Sequence, residues 1–505
     1  MDYLLGIDVG TSGTKTALFD PSGGVMASQT VEYPLSQPQN GWAEQDPRDW
    51  WWAAVQGIRA VLAQSGADPE EIRGIGLSGQ MHSLVMLDEA GEVLRPAILW
   101  CDGRTGQECQ DIYDAVGMER YLEITANPAL TGFTAGKLLW VRRHQPELYA
   151  KCRHILLPKD YIRYRLTGGF ATEVSDASGM GLLDVPRRRW SGEVLEKLEI
   201  DPALLARVYE SPEITGAVTS QAAAETGLRA GTIVVGGAGD NAAAAVGMGV
   251  VQTGRAFTTL GTSGVIYALS DSCSGDPLAR IHTLCASVPG KWTAMSCTQA
   301  AGLSLRWLRD VCCQPETAAA GGRDPYQLMD GLAAEVPIGA ERLLFLPYLM
   351  GERAPHPDPD CRGAFVGLSA YHQRAHLIRA VMEGVAYSQR ECLDVFRDIG
   401  VEVGSMAVCG GGARSPLWRQ MLCDLYACPI HTIASDEGPA LGAAILAGVA
   451  AGVFPSLEEA CGALVRPGPD QYPDQEASAR YEPYFRLYKK LYADLKDSFS
   501  LLSRL

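Results

Sequence analysis

Basic charge is scarce in this chain. Its 43 Lys and Arg stand against 59 Asp and Glu, giving a net charge of −16 and a pI near 5.0, so there is no basic footprint for nucleic acid. The same balance disfavours an anionic membrane surface, although local basic pockets for phosphate stay open. No apolar run approaches the roughly 20 residues of a membrane span, and Met1-Asp2-Tyr3-Leu4-Leu5 lacks the basic region that opens a secretory leader. The 14 cysteines, such as Cys312, Cys313, Cys409 and Cys423, show no zinc-type spacing and read as buried reduced thiols, which points to the cytoplasm. His372 and His376 stand four apart, but Gln373 occupies the place of the Glu in a zinc-binding helix, so the pair is structural. Two phosphate motifs are absent as well. No Gly-x-Gly-x-x-Gly opens a helix near the N-terminus, and the P-loop-like stretch ending in Lys15-Thr16 has Thr14 where Gly is required.

What is present is a repeat. Gly-Thr-Ser-Gly occurs at 10–13 and again at 261–264, half a chain apart in 505 residues. Each copy joins two strand-like runs: 3–9 and 16–19 in the first case, 256–260 and 265–268 in the second. A turn of glycine and small hydroxyl residues lets a ligand approach the backbone, and its free N–H groups suit phosphate oxygens. One copy alone would be an ordinary tight turn. Two identical copies in matching contexts favour two related domains gripping one polyphosphate.

The length and a 47% hydrophobic content fit two or three globular domains. Strands and helices alternate, which predicts an α/β fold. The boundary is placed near 247–249, dividing the chain into 1–247 and 248–505. Asp46 and Pro47 predict the start of a Trp-rich helix, and Ser415 with Pro416 predict another over 417–427. Tyr481, Tyr484, Phe485, Tyr488, Leu491, Tyr492 and Leu495 form an apolar helical stripe. The stronger expectation docks this 478–505 helix on the protein's own core, with packing back on the first domain as one way of doing so; contact with a second copy in a homodimer, or with a membrane, is the alternative.

Five clusters carry candidate chemistry. Asp8 ends a strand two residues before Gly10 and either holds Mg²⁺ beside phosphates or caps the turn. Asp240 ends a strand in a Gly-rich stretch; it suits a proton acceptor for an attacking hydroxyl, although position alone favours an N-cap. Gln80, Met81 and His82 end another strand, with two hydrogen-bonding groups for a polyol and an apolar wall, while a lone His is more often structural. Trp100 with Asp102 and Arg104 either lines a sugar pocket or forms a surface ion pair. Gly410-Gly411-Gly412 precedes a capped helix and allows an adenine ring to lie on the backbone, a weak signal alone.

Taken in order, these motifs resemble the FGGY carbohydrate kinases over nearly the whole chain. The matches are 6–15, 78–82, 99–104, 133–140, 157–161, 239–243, 351–355, 409–413 and 438–444. Ser83, Gly136 and Ala244 depart from the family's usual residues. The resemblance implies two actin-like, ribonuclease-H-like domains with a ligand cleft between them. It also implies ATP-dependent, Mg²⁺-assisted phosphorylation of D-xylulose at its terminal hydroxyl. By carry-over, Asp240 is the proton acceptor and Asp8 the metal-linked carboxylate. Met81 and His82 contact the ketose, with Gln80, Trp100, Arg104 and Asn241 around it. Thr11, Ser12, Gly13, Thr14 and Lys15 serve the transferred phosphoryl group. Gly261 and Thr262 face the phosphates, and Gly411, Gly412 and Ala413 the adenosine. A family member acting on L-ribulose, L-xylulose or glycerol is the nearest alternative, and a non-catalytic actin-like ATP-binding protein the more distant one.

Overall fold

The apolar N-terminal run forms β1 (Tyr3–Val9), which turns at residues 10–12 into the antiparallel β2 (Gly13–Phe19), followed by β3 (Val25–Glu32). The computed structural model describes residues 2–314, 318, 321–322, 324–434 and 437–505. Asp46 caps α1 (Pro47–Ser65) by accepting the Arg48 N–H, and Gly66 closes it at φ 64°. The buried face of α1, including Trp50, Ala54 and Ile58, packs on Leu5, Ile7 and Leu18 of the sheet. β4 (Ile72–Gly79) lies parallel to β1, and β5 (Ile233–Val235) parallel to β4. A two-residue strand, β6 (Ala238–Gly239), also pairs with β4 and leads into α2 (Asp240–Gly247).

The second half repeats this plan. β7 (Arg255–Leu260) and β8 (Gly264–Ser270) form an antiparallel hairpin around the second Gly-Thr-Ser-Gly turn. β9 (His282–Cys285) and β10 (Trp292–Thr298) extend it antiparallel. After α3 (Gly302–Cys312), α4 (Pro325–Ala334) and the long α5 (Arg374–Asp398) come β11 (Ser405–Cys409), α6 (Pro416–Tyr426) and β12 (Ile430–Thr432). The order is β9-β10-β8-β7-β11-β12, with β7, β11 and β12 parallel. Each sheet therefore has an antiparallel hairpin at its centre and parallel strands reached by crossover helices. The repeated turns sit at equivalent tips.

α7 (Gly438–Ala450) belongs to the second half by sequence but lies on β1 and β4 of the first sheet and against α2. Small residues permit this. A Cβ on Gly76 would stand 1.8 Å from the Ala443 carbonyl oxygen, and one on Gly442 1.8 Å from that of Ala243.

α8 (Gln475–Leu502) corrects one expectation. Tyr481, Phe485, Tyr488 and Tyr492 pack into the core of the second half, not onto the first domain. Arg379 donates to the Tyr481 hydroxyl at 2.7 Å, and the Tyr348 and Tyr488 hydroxyls meet at 3.0 Å. The aromatic stripe expected as a docking face is thus already covered by its own domain. Among the described residues no helix is long and apolar enough to cross a membrane.

Candidate active site

The parallel pairing of β1, β4 and β6 sets two carboxyl groups side by side. Asp8, Ser78 and Ala238 are aligned across the three strands, as are Val9, Gly79 and Gly239 one residue further on. Ser78 donates its hydroxyl to Asp8 Oδ1 at 2.8 Å. Burial pushes the Asp8 carboxyl above its ordinary range and Glu437 adds to this, while Ser78 and Lys15 oppose it. Asp240 is the first residue of α2, with Gly239 in the N-cap position, so the expected cap is displaced by one residue. The Asn241 backbone N–H and side-chain amide donate to Asp240 Oδ1 at 2.7 and 2.9 Å. Burial, reinforced by the Asp8 charge, pushes Asp240 up to about 7. Among the described residues no cluster of three or more His, Cys, Asp or Glu could cage a metal. The half-buried Asp8 carboxyl nevertheless fits Mg²⁺, which takes one or two carboxylates and completes its shell with water and phosphate.

The first turn is held from several sides. Trp100, half-exposed, donates its indole N–H to Thr11 Oγ1 at 3.0 Å, and Gln45 Nε2 donates to the Thr11 carbonyl at 2.7 Å. Gln80 is buried; its amide donates to Gln45 Oε1 at 3.1 Å and to the Gly10 carbonyl at 3.4 Å. It braces the turn. Ser12 is exposed, and Gly13 begins β2. Thr14 is buried against Tyr33 (3.4 Å), because alternation along β2 turns it into the sheet. Lys15 faces the other way and pairs with Glu437 at 2.9 Å.

Met81 lies over Gly239, where any Cβ would come within 2.8 Å of its Cγ. His82 takes a left-handed backbone (φ 68°), and its ring stacks on Phe133 with centroids 4.5 Å apart. His82 Nδ1 lies 2.8 Å from the Gly179 carbonyl oxygen, so this nitrogen carries the proton and Nε2 is an acceptor. Burial holds the imidazole down to about 3, with Lys137 and Arg353 acting in the same direction. The His82 carbonyl accepts from Thr134 Oγ1 at 2.9 Å and Lys137 Nζ at 3.0 Å. Arg104 departs from the surface-pair reading offered for it. Its side chain is enclosed, ion-paired with Asp102 at 2.6 Å and Glu44 at 2.8 Å, and stacked 3.6 Å from the Trp42 ring. It forms an enclosed ion pair and not a surface one.

On the second half, a cavity of about 610 Å³ opens between the repeated turn and the Gly-rich turn after β11. Gly261, Thr262, Gly411 and Gly412 line it, together with Arg306 on α3 and Tyr326 and Asp330 on α4. Gly411 has no atom within 4 Å of a built Cβ, whereas Gly410 (φ 89°) is pressed against Leu260. Ala413 is buried and donates its N–H to the Gly410 carbonyl, so it shapes the turn without lining the cavity. Ser263 hydrogen-bonds Cys297, a thiol near enough to Asp240 and Arg353 to feel both charges. Sequence reasoning missed Phe133, Glu437 and the α3 and α4 lining residues. Phe133 opens the 133–140 match, which was its one signal; the others depend on contacts between distant segments.

Comparison with known proteins agrees with this layout. A model of the FGGY family of carbohydrate kinases, N-terminal domain, matches residues 3–247, and one of the C-terminal domain matches 256–451. A xylulose kinase from Bacillus subtilis (strain 168) is 39% identical over 98% of this chain and 98% of its own. One from Escherichia coli (strain K12) is 40% identical over 97% and 99%. The crystal structure of a xylulose kinase from Rhodospirillum rubrum superposes with a TM-score of 0.92 at 33% identity, covering 99% of this chain and 100% of that one. With two half-chain sheets of one topology, paired turns at their tips and these matches, the chain belongs to the FGGY family of carbohydrate kinases.

Proposed function

We propose that this protein transfers the γ-phosphoryl group of ATP to the terminal hydroxyl of D-xylulose, forming D-xylulose 5-phosphate and ADP. The observation that carries the reading is Asp240. It is a half-buried carboxyl raised to about 7, held at one oxygen by Asn241, and it directly follows Gly239, against which Met81 packs. A general base with a proton affinity near the working pH is well matched to accept the hydroxyl proton. As the sugar oxygen bonds to phosphorus, the bond from phosphorus to the bridging oxygen breaks and ADP leaves with the electron pair. His82 stays neutral and offers Nε2 as an acceptor to a sugar hydroxyl, and Met81 supplies an apolar wall. Gly261 and Thr262 would meet the phosphates of the nucleotide, and the open face at Gly411 its adenosine. Asp8 would hold Mg²⁺, whose chemistry when bound is to neutralise phosphate charge. Thr11, Ser12, Gly13 and Lys15 lie on the rim where the transferred group would pass. The pairing of these features with relatives named xylulose kinase supports the sugar assignment. The test is ADP release with D-xylulose, L-ribulose, L-xylulose and glycerol. D-xylulose is expected to give the highest kcat/KM, and a preference for glycerol or L-ribulose overturns the assignment.

A further inference from the structure

The segment 173–179 reaches three parts of the site, and beyond the Gly179 carbonyl that sets the His82 tautomer it has no role in the reaction above. Glu173 is fully buried, and its carboxylate accepts four hydrogen bonds. The Ser175 N–H and hydroxyl each donate at 2.8 Å, the Asp176 N–H at 2.9 Å and the Ser211 hydroxyl at 2.8 Å. Ser175 Oγ in turn accepts the N–H of Gly239, the residue immediately before Asp240, at 3.1 Å. Ser178 Oγ accepts the N–H of Cys285, on edge strand β9 of the second half, at 3.0 Å. The Gly179 carbonyl then takes the His82 ring at 2.8 Å. Seven consecutive residues thus touch the strand of the base, the sugar-side imidazole and the opposite half.

Beneath them lies an ionic cluster with no solvent exposure. Lys159 Nζ stands 2.8 Å from Asp160, 3.0 Å from Asp176 and 3.4 Å from Glu173, and Arg163 pairs with Asp160 at 2.5 Å. Arg163 also donates to the carbonyls of Val235 and Gly236, on the same strand path that ends at Asp240. Burying five ionisable groups costs more desolvation than apolar side chains of the same volume, so stability alone does not account for the cluster. Its geometry does: Arg163 fixes that path at two carbonyls and Ser175 fixes it at one amide.

We propose that Ser175, seated by Glu173, is a positioning residue that fixes the Gly239 amide and through it the Asp240 carboxylate, within the segment that also seats His82 and docks the second half. This rests on the reading of Asp240 as the base.

The test is steady-state kinetics of Ser175→Ala in the full chain, beside Asp240→Asn. Ser175→Ala is expected to lower kcat for sugar phosphorylation about tenfold or more, since small misplacements of a reacting group are costly. KM for ATP should stay within about twofold, because the nucleotide cavity is elsewhere, and the acid limb of the pH–rate profile should shift. A merely structural role would not move that limb. A kcat near wild type with an unmoved limb overturns the proposal, as does a loss shared with ATP affinity. If Ser175→Ala does not fold, Ser175→Cys keeps the volume with a weaker acceptor; it should give a smaller loss of kcat and the same shift of the limb, and wild-type behaviour of that variant overturns the proposal. Normal turnover in Asp240→Asn is a separate outcome that removes the base itself.

Discussion

Asp8 and Asp240 approach the end of β4 from its two sides. Asp8 is paired with Ser78, and Gly239, just before Asp240, is paired with Gly79. The two side chains are half-buried, and Asp8 is one cause of the Asp240 carboxyl's rise to about 7.

A base works deprotonated, so kcat/KM for the sugar should fall as pH drops below about 7. In Asp8→Asn the like charge is gone. The Asp240 titration, followed by infrared spectroscopy of the ligand-free protein, should then move to lower pH. A titration that stays in place or moves up contradicts the coupling.

The same elevation has a stability consequence. A carboxyl whose folded value lies above its unfolded value favours folding only while protonated. Its penalty grows as pH rises from the unfolded value through about 7. Asp240→Asn should therefore melt above wild type at pH 8, with the advantage shrinking toward pH 5. Equal melting temperatures at both pH values would exclude an elevated carboxyl.

Some of this was legible in the chain and some was not. The paired turns, the caps at Asp46 and Ser415 and the strand ends at Asp8 and His82 are local, and local sequence specifies them. Arg104 shows the limit. Adjacent Trp and Asp residues suggested a pocket, but Glu44 and Trp42, some 60 positions away, enclose it. α7 on the first sheet and α8 on the second half are choices between two apolar surfaces, which a periodic stripe cannot make.

Arg104→Ala should act on stability first. It strands the buried Asp102 without its cation, while Glu44 keeps Arg95, at a cost of about 3–5 kcal/mol. Chemical denaturation of this variant measures the loss. Full stability with a raised sugar KM would return Arg104 to the pocket.

Glycines should divide by neighbourhood. Gly442→Ala puts a Cβ 1.8 Å from a backbone carbonyl at the α2–α7 crossing, and overpacking of that kind costs about 1–3 kcal/mol or more. Gly411→Ala meets nothing and should melt like wild type, while raising KM for ATP by narrowing the cavity floor. Reversed effects would misplace the nucleotide.

His82, held down to about 3, should show no ring titration by NMR between pH 5 and 8. His82→Ala should raise the sugar KM and leave ATP binding unchanged. A midpoint near 6.5 would contradict the enclosed, Gly179-bound imidazole.

The most direct measurement is phosphoryl transfer by Asp240→Ala at saturating D-xylulose and MgATP, alongside ATP binding by calorimetry. Sugar phosphorylation should be abolished with ATP affinity largely retained. Near-normal turnover would contradict the assignment of Asp240 as the base.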